Sequence, residues 1–136
     1  MKCMILAAGY GKRMMPLTKE TPKPLLKIGN ETLLDRNIKN VLSNNFDEII
    51  INVSHHGDKI KEHLIKNYID HKITVIEEPY PYGTGGALVN AKDQLGDGTI
   101  LIINADIFHV FDLSKLNRET ECIHLVGIDN PDHNKE

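Results

Sequence analysis

Apolar residues fall along this chain in short continuous runs separated by stretches of helical period. The runs are residues 2–7, 47–53, 73–77, 99–104 and 122–127. Their unbroken Ile, Val and Leu content, without strict alternation, predicts strands of a parallel sheet covered on both faces. Between them, Leu34, Ile38, Val41 and Leu42 predict an amphipathic helix over 31–44, and Ile60, Leu64 and Tyr68 another over 57–69. Leu88, Ala91 and Leu95 predict a third over 84–95, stopped by Gly96. Strand–helix–strand alternation implies right-handed crossovers and a three-layer α/β/α sandwich with a mostly parallel sheet. There is no internal repeat, low-complexity segment or linker.

One stretch breaks the alternation. After the first strand the chain runs through about two dozen residues holding Gly9, Gly11, Pro16, Pro22 and Pro24. A structureless loop of that length in a compact domain is usually functional or disordered. It carries Lys12, Arg13, Lys19, Lys23 and Lys27 against Glu20 alone, a local charge of +4, while the rest of the chain carries −7. Positive charge is gathered at the carboxyl end of a strand, where open α/β sheets bind ligands.

Composition narrows the field. The chain's 136 residues make one domain, and 40% hydrophobic with 26% charged residues is globular rather than disordered. No run approaches the 18 apolar residues of a membrane span, and the N-terminus lacks a signal-peptide pattern. A net charge of −3 gives no reason to expect nucleic acid. Cys3 and Cys122 lie in apolar runs and read as reduced, buried thiols. These features predict a soluble cytoplasmic protein with neither nucleic acid nor membrane as partner.

Four constellations carry chemistry. Gly9-Tyr10-Gly11-Lys12-Arg13 combines glycines, which bring backbone N–H groups to phosphate, with two cations. It departs from the dinucleotide fingerprint, because Met14 replaces the third glycine and no acid ends the second strand, and it is not a P-loop. Pro22-Lys23-Pro24 fixes the backbone on both sides of a lysine. Gly83-Thr84-Gly85-Gly86 opens a helix with more glycine than a cap needs, Thr84 being the cap in the plain reading. Asn104-Ala105-Asp106 ends an apolar strand; the Asp106 carboxylate suits Mg²⁺ beside phosphates and equally suits a turn or cap. Together the four point to a nucleoside triphosphate and a metal.

The run Leu6-Ala7-Ala8-Gly9-Tyr10-Gly11-Lys12-Arg13-Met14-Met15-Pro16-Leu17-Thr18, followed by Pro22-Lys23-Pro24-Leu25-Leu26, resembles the signature of sugar-1-phosphate nucleotidylyltransferases. Tyr82-Gly83-Thr84-Gly85-Gly86-Ala87 and Ile103-Asn104-Ala105-Asp106 follow in that family's order and spacing. Within it, Thr84-Gly85-Gly86 with Leu95-Gly96-Asp97, and His124-Leu125-Val126 with Asn130, Pro131 and His133, resemble the N-acetylmuramate-1-phosphate uridylyltransferases. Thr84–Leu88 and Asp112–Leu116 equally suit heptose- or mannose-1-phosphate guanylyltransferases.

The resemblance implies a Rossmann-like, GT-A-like nucleotidyltransferase fold and transfer of a nucleotidyl group from a nucleoside triphosphate, UTP by expectation, to a sugar 1-phosphate. It implies that Ala8, Gly9 and Gly11 line the nucleotide, that Arg13 neutralises the departing pyrophosphate, and that Lys23 sits on the α-phosphate and sugar phosphate. Glu78 and Gly83 would occupy the base-reading segment, Asn104 would shape the ribose or metal side, and Asp106 would hold Mg²⁺. Position 78 is often Gln in the family, and an acid there accepts where an amide also donates. Family members continue past the length of this chain, so residues 1–136 are expected to form the nucleotide-binding N-terminal portion, with a second metal acid beyond it. A non-catalytic nucleotide-binding relative and an enzyme with a non-sugar acceptor such as phosphocholine remain alternatives. His55, His56 and His63 read as solvated rather than as a metal site, and His109, His124 and His133 form no cluster.

Overall fold

The computed structural model describes residues 1–46, 48–116 and 123–127. Among these residues four parallel strands form the sheet, in the order β5-β4-β1-β6: β1 (Lys2–Leu6), β4 (Glu48–Val53), β5 (Ile73–Glu77) and β6 (Ile100–Asn104). A two-stranded hairpin, β2 (Lys27–Ile28) with β3 (Glu31–Thr32), stands apart. The helices are α1 (Leu33–Ser43), α2 (Gly57–Tyr68), α3 (Gly83–Asn90) and α4 (Lys92–Leu95).

Chain order explains where the helices lie. From β1 through β4 to β5 the chain steps in one direction across the sheet, and right-handed crossovers therefore put α1 and α2 on one face. The next crossover returns past β1 to β6, which puts α3 and α4 on the other. Packing agrees: Cys3, Ile5, Ile49 and Ile51 join Leu34, Ile38, Val41, Ile60 and Leu64 in one core. Met4 and Ile50 join Ala87, Ala91 and Leu95 in the other. The direction of winding reverses between β1 and β6, the switch point at which sheets of this kind form a ligand crevice.

Helix α1 starts at Leu33, two residues later than the apolar period predicts. Thr32 takes the N-cap: its Oγ1 accepts from the Asp35 N–H at 3.0 Å, and Asp35 Oδ2 accepts from the Thr32 N–H at 3.3 Å. The Asp35 carboxylate also reaches α2, where Oδ1 accepts from His63 Nε2 at 2.7 Å and from the Tyr68 hydroxyl at 2.8 Å. His63 is thus a helix clasp and not a solvated side chain.

Two other expectations change. The helix predicted over 84–95 is broken at Ala91, whose φ of −91° and ψ of 3° leave the helical region. The apolar stripe still runs unbroken through Ala87, Ala91 and Leu95, so periodicity alone does not reveal the kink. Residues 123–127 of the strand predicted over 122–127 are exposed and belong to no strand; Cys122, Asn130, Pro131 and His133 lie outside the described residues. Cys3 is a free, fully buried thiol, its pKa pushed up to about 12 by burial. Among the described residues no helix is long and apolar enough to cross a membrane.

Candidate nucleotide site

The long segment after β1 is a folded shelf rather than a structureless loop. It holds two single 3-10 turns, Lys12–Met14 and Lys23–Leu25, before the hairpin. Gly11 joins its two halves. With φ at +64°, its carbonyl accepts from the Thr18 hydroxyl at 2.9 Å, and a Cβ there would meet Thr18 Cγ2 at 2.9 Å and Lys23 Cβ at 3.3 Å. Only glycine lets the signature turn pack directly on the lysine that follows twelve residues later. From below, His56 Nε2 donates to the Lys19 carbonyl at 3.0 Å and Lys59 Nζ donates to the Glu20 carbonyl, tying the shelf to the start of α2.

Over the carboxyl ends of the strands, this shelf and the start of α3 enclose a cleft of about 390 Å³. It is lined by all nine residues singled out from the sequence: Ala8, Gly9, Gly11, Arg13, Lys23, Glu78, Gly83, Asn104 and Asp106. Arg13 is exposed on its 3-10 turn. Opposite it, α3 begins at Gly83, where φ is +73°, with Tyr82 at the N-cap and no side-chain cap. Thr84 is therefore inside the helix and is not its cap. The missing cap leaves first-turn N–H groups for an anionic ligand. Gly86 lets the Tyr82 side chain fold back over this turn, since a Cβ would meet Tyr82 Cβ at 2.7 Å.

The closest approach of charges in the cleft is between Lys23 and Asp106, 83 positions apart, with Nζ 2.6 Å from Oδ2. Two bonds hold the backbone that presents Asp106: the Ala105 N–H donates to the Leu6 carbonyl at 3.0 Å, and Asn37 Nδ2 from α1 donates to the Ala105 carbonyl at 3.3 Å. Asp106 is therefore a cleft carboxylate facing a cation, not a cap. Among the described residues no three His, Cys, Asp or Glu side chains converge to hold a metal. A partly exposed lone carboxylate that already attracts one cation fits Mg²⁺ that takes its remaining ligands from phosphate and water. It does not fit a metal caged by protein alone.

Sequence reasoning passed over Asn52. Its position in β4 is level with Leu6 in β1, and Leu6 is level with Asn104 in β6, so two asparagines share one row on the α3 face. Asn52 is buried, at 3% exposure, and so is Glu78, at 2%. Asn52 Oδ1 accepts from the Ala7 N–H at 3.0 Å, and its Nδ2 donates to Glu78 Oε1 at 2.9 Å. Glu78 Oε2 accepts from the Tyr82 N–H at 3.0 Å. The available signal was a polar residue inside Ile-Ile-Ile-Asn-Val, where a buried strand tolerates polarity only with a partner. Asn37 was equally silent in the sequence because the Ala105 carbonyl that it holds is 68 positions away.

The model of the family described as nucleotidyl transferase matches residues 2–122. The N-acetylmuramate alpha-1-phosphate uridylyltransferase of Neisseria meningitidis serogroup B is 32% identical over 145 aligned residues, covering 100% of this chain and 62% of that protein. A probable mannose-1-phosphate guanylyltransferase of Oryza sativa subsp. japonica is 30% identical over 121, covering 85% of this chain and 34% of that protein. Among solved structures, HddC from Yersinia pseudotuberculosis complexed with GMP-PN superposes with a TM-score of 0.69 at 31% identity, covering 77% of this chain and 47% of that one. This chain thus spans between about a third and two thirds of the length of these relatives. With a family match along nearly all its length and a doubly wound sheet whose switch point carries the signature loop, the chain belongs to the nucleotidyl transferase family.

Proposed function

We propose that this chain forms the nucleotide-binding part of a sugar-1-phosphate nucleotidylyltransferase that uses UTP. The observation that carries the reading is the meeting of Lys23 and Asp106 at the mouth of a glycine-lined cleft. A phosphate-binding cation and a metal-binding carboxylate are adjacent there, each the other's counter-ion until substrate arrives. The glycine turn at Gly9 and Gly11, with Ala8, offers backbone to the nucleotide from one wall; the start of α3 at Gly83 offers N–H groups from the other. Asn104 lies on the floor beside Asp106.

In the reaction, an oxygen of the sugar phosphate attacks the α-phosphorus, and the bond from that phosphorus to the bridging oxygen of pyrophosphate breaks. The nucleophile arrives ionised, so no protein base is needed, and the work is positioning and charge neutralisation. Lys23 turns from Asp106 to the α-phosphate and the incoming sugar phosphate, and Arg13 neutralises the pyrophosphate as it departs. Asp106 would hold Mg²⁺, which when bound draws charge from the phosphate oxygens. UTP is favoured by the uridylyltransferase named above; the guanylyltransferase and the GMP-PN complex keep GTP as the second reading.

A thermal-shift panel of UTP, GTP, CTP, dTTP and ATP, each with and without Mg²⁺, tests this. A ligand at 100 times its Kd adds about 2.7 kcal/mol to stability. The largest Mg²⁺-dependent shift is expected with UTP; a larger one with GTP replaces the nucleotide and keeps the reaction class.

A further inference from the structure

We infer that Asn52 and Glu78 form a one-way hydrogen-bond relay that sets the width of the nucleotide cleft, and that Glu78 acts as a positioning residue and not by reading the base. The inference rests on the proposed nucleotide site and concerns how its two walls are held. The relay begins at the Ala7 N–H, at the root of the glycine turn, and ends at the Tyr82 N–H, at the root of α3. Both ends are backbone donors that cannot be reversed. The Ala7 N–H demands Oδ1 of Asn52, which leaves Nδ2 as the end of the Asn52 amide that faces Glu78. Glu78 therefore meets a donor on each of its oxygens, and only a carboxylate satisfies both.

This polarity accounts for an acid rather than an amide at position 78. A glutamine amide at position 78 would aim its NH₂ either at Asn52 Nδ2 or at the Tyr82 N–H. Turning Asn52 over would move the same clash to Ala7. With both oxygens engaged and 2% of its surface exposed, Glu78 contributes to the cleft chiefly through where it holds the Pro81-Tyr82 peptide at the root of α3.

The direction of the relay makes it testable by a swap. In an Asn52→Asp, Glu78→Gln double variant, the carboxylate now at position 52 accepts from the Ala7 N–H and from the new amide, and the amide oxygen accepts from the Tyr82 N–H. Every donor again faces an acceptor and the net charge is unchanged. Each single variant breaks the pattern: Glu78→Gln opposes two donors, and Asn52→Asp opposes two carboxylates. Each should lower the melting temperature of the ligand-free chain and weaken Mg²⁺-UTP binding by about tenfold or more, the cost of an unsatisfied buried polar group. The double variant should recover most of both losses and keep the wild-type order of preference among the five nucleotides.

A double variant as damaged as the sum of the singles overturns the relay. Recovered stability with a changed nucleotide preference overturns the positioning role, because the carboxylate would then contact the base. If the wild-type chain binds none of the five nucleotides, the functional reading fails, while the melting temperatures of the four proteins still decide the relay by themselves.

Discussion

On the α1/α2 face, sixteen buried hydrophobic residues among those described close over the sheet. On the α3/α4 face, five do. The first face uses two helices of eleven and twelve residues with regular apolar spacing, tied to each other through Asp35, His63 and Tyr68. The second uses helices of eight and four residues, one opening on glycines, and leaves Ile102 of β6 40% exposed. The cleft lies over the carboxyl ends of the strands with the start of α3 as one wall, and Asn52 and Asn104 share a row on this thinly covered face. Thin cover leaves room for backbone amides and polar side chains to meet a ligand; the sealed face supplies the stability that makes this tolerable.

The largest effect that would test this contrast comes from the core. Ile51→Ala, on the sealed face, should destabilise the chain by about 2–5 kcal/mol, while Ile102→Ser should change stability by no more than about 0.5 kcal/mol. Paired denaturant melts check it, and equal losses would mean that the two faces are built alike. Next comes Lys23→Ala, which removes the cation that faces Asp106 in the cleft. It should weaken Mg²⁺-UTP binding by about tenfold to a hundredfold with the melt little changed. By freeing Asp106 it should also strengthen binding of Mn²⁺ alone, measured by titration without nucleotide.

Smaller still is Gly11→Ala. A left-handed turn costs an alanine about 1–2 kcal/mol, and the new Cβ presses on Thr18. The loss should show more strongly in nucleotide affinity than in melting temperature, because Gly11 and Thr18 belong to neither core.

The smallest effect is one of pH. Burial raises the Asp35 carboxyl, but hydrogen bonds from His63, Thr32 and Tyr68 together outweigh it and leave its pKa below the ordinary carboxylate value. A lowered pKa means that the ionised clasp stabilises the fold above the unfolded-state value of about 4, and that this contribution is lost as pH falls further. Asp35→Asn should flatten that part of the stability curve while leaving nucleotide affinity at neutral pH unaltered.

The sealed face was the legible one. Leu34, Ile38 and Val41, and Ile60, Leu64 and Tyr68, report their burial by spacing alone, and strands such as Glu48–Val53 report theirs by apolar content. The site was legible as motif, since Gly11, Lys23 and Asp106 are unusual in their local contexts. What escaped was what depends on distant partners. The two-residue strands β2 and β3 are too short to carry a period, and an apolar run at 123–127 does not say whether a strand waits beside it. Asn52, Thr18 and Asn37 owe their roles to carbonyls, amides and a carboxylate brought near only by folding. Glu78 was visible, but the donors that constrain it were not.

The central claim is that the cleft binds a nucleoside triphosphate through Arg13, Lys23 and Asp106. Calorimetric titration of the chain with UTP in Mg²⁺, beside Arg13→Ala and Asp106→Asn, measures it most directly. The account predicts saturable binding at one site per chain, weakened in Arg13→Ala with or without metal and made insensitive to Mg²⁺ in Asp106→Asn. Binding of equal strength and equal Mg²⁺ dependence in all three proteins would contradict it.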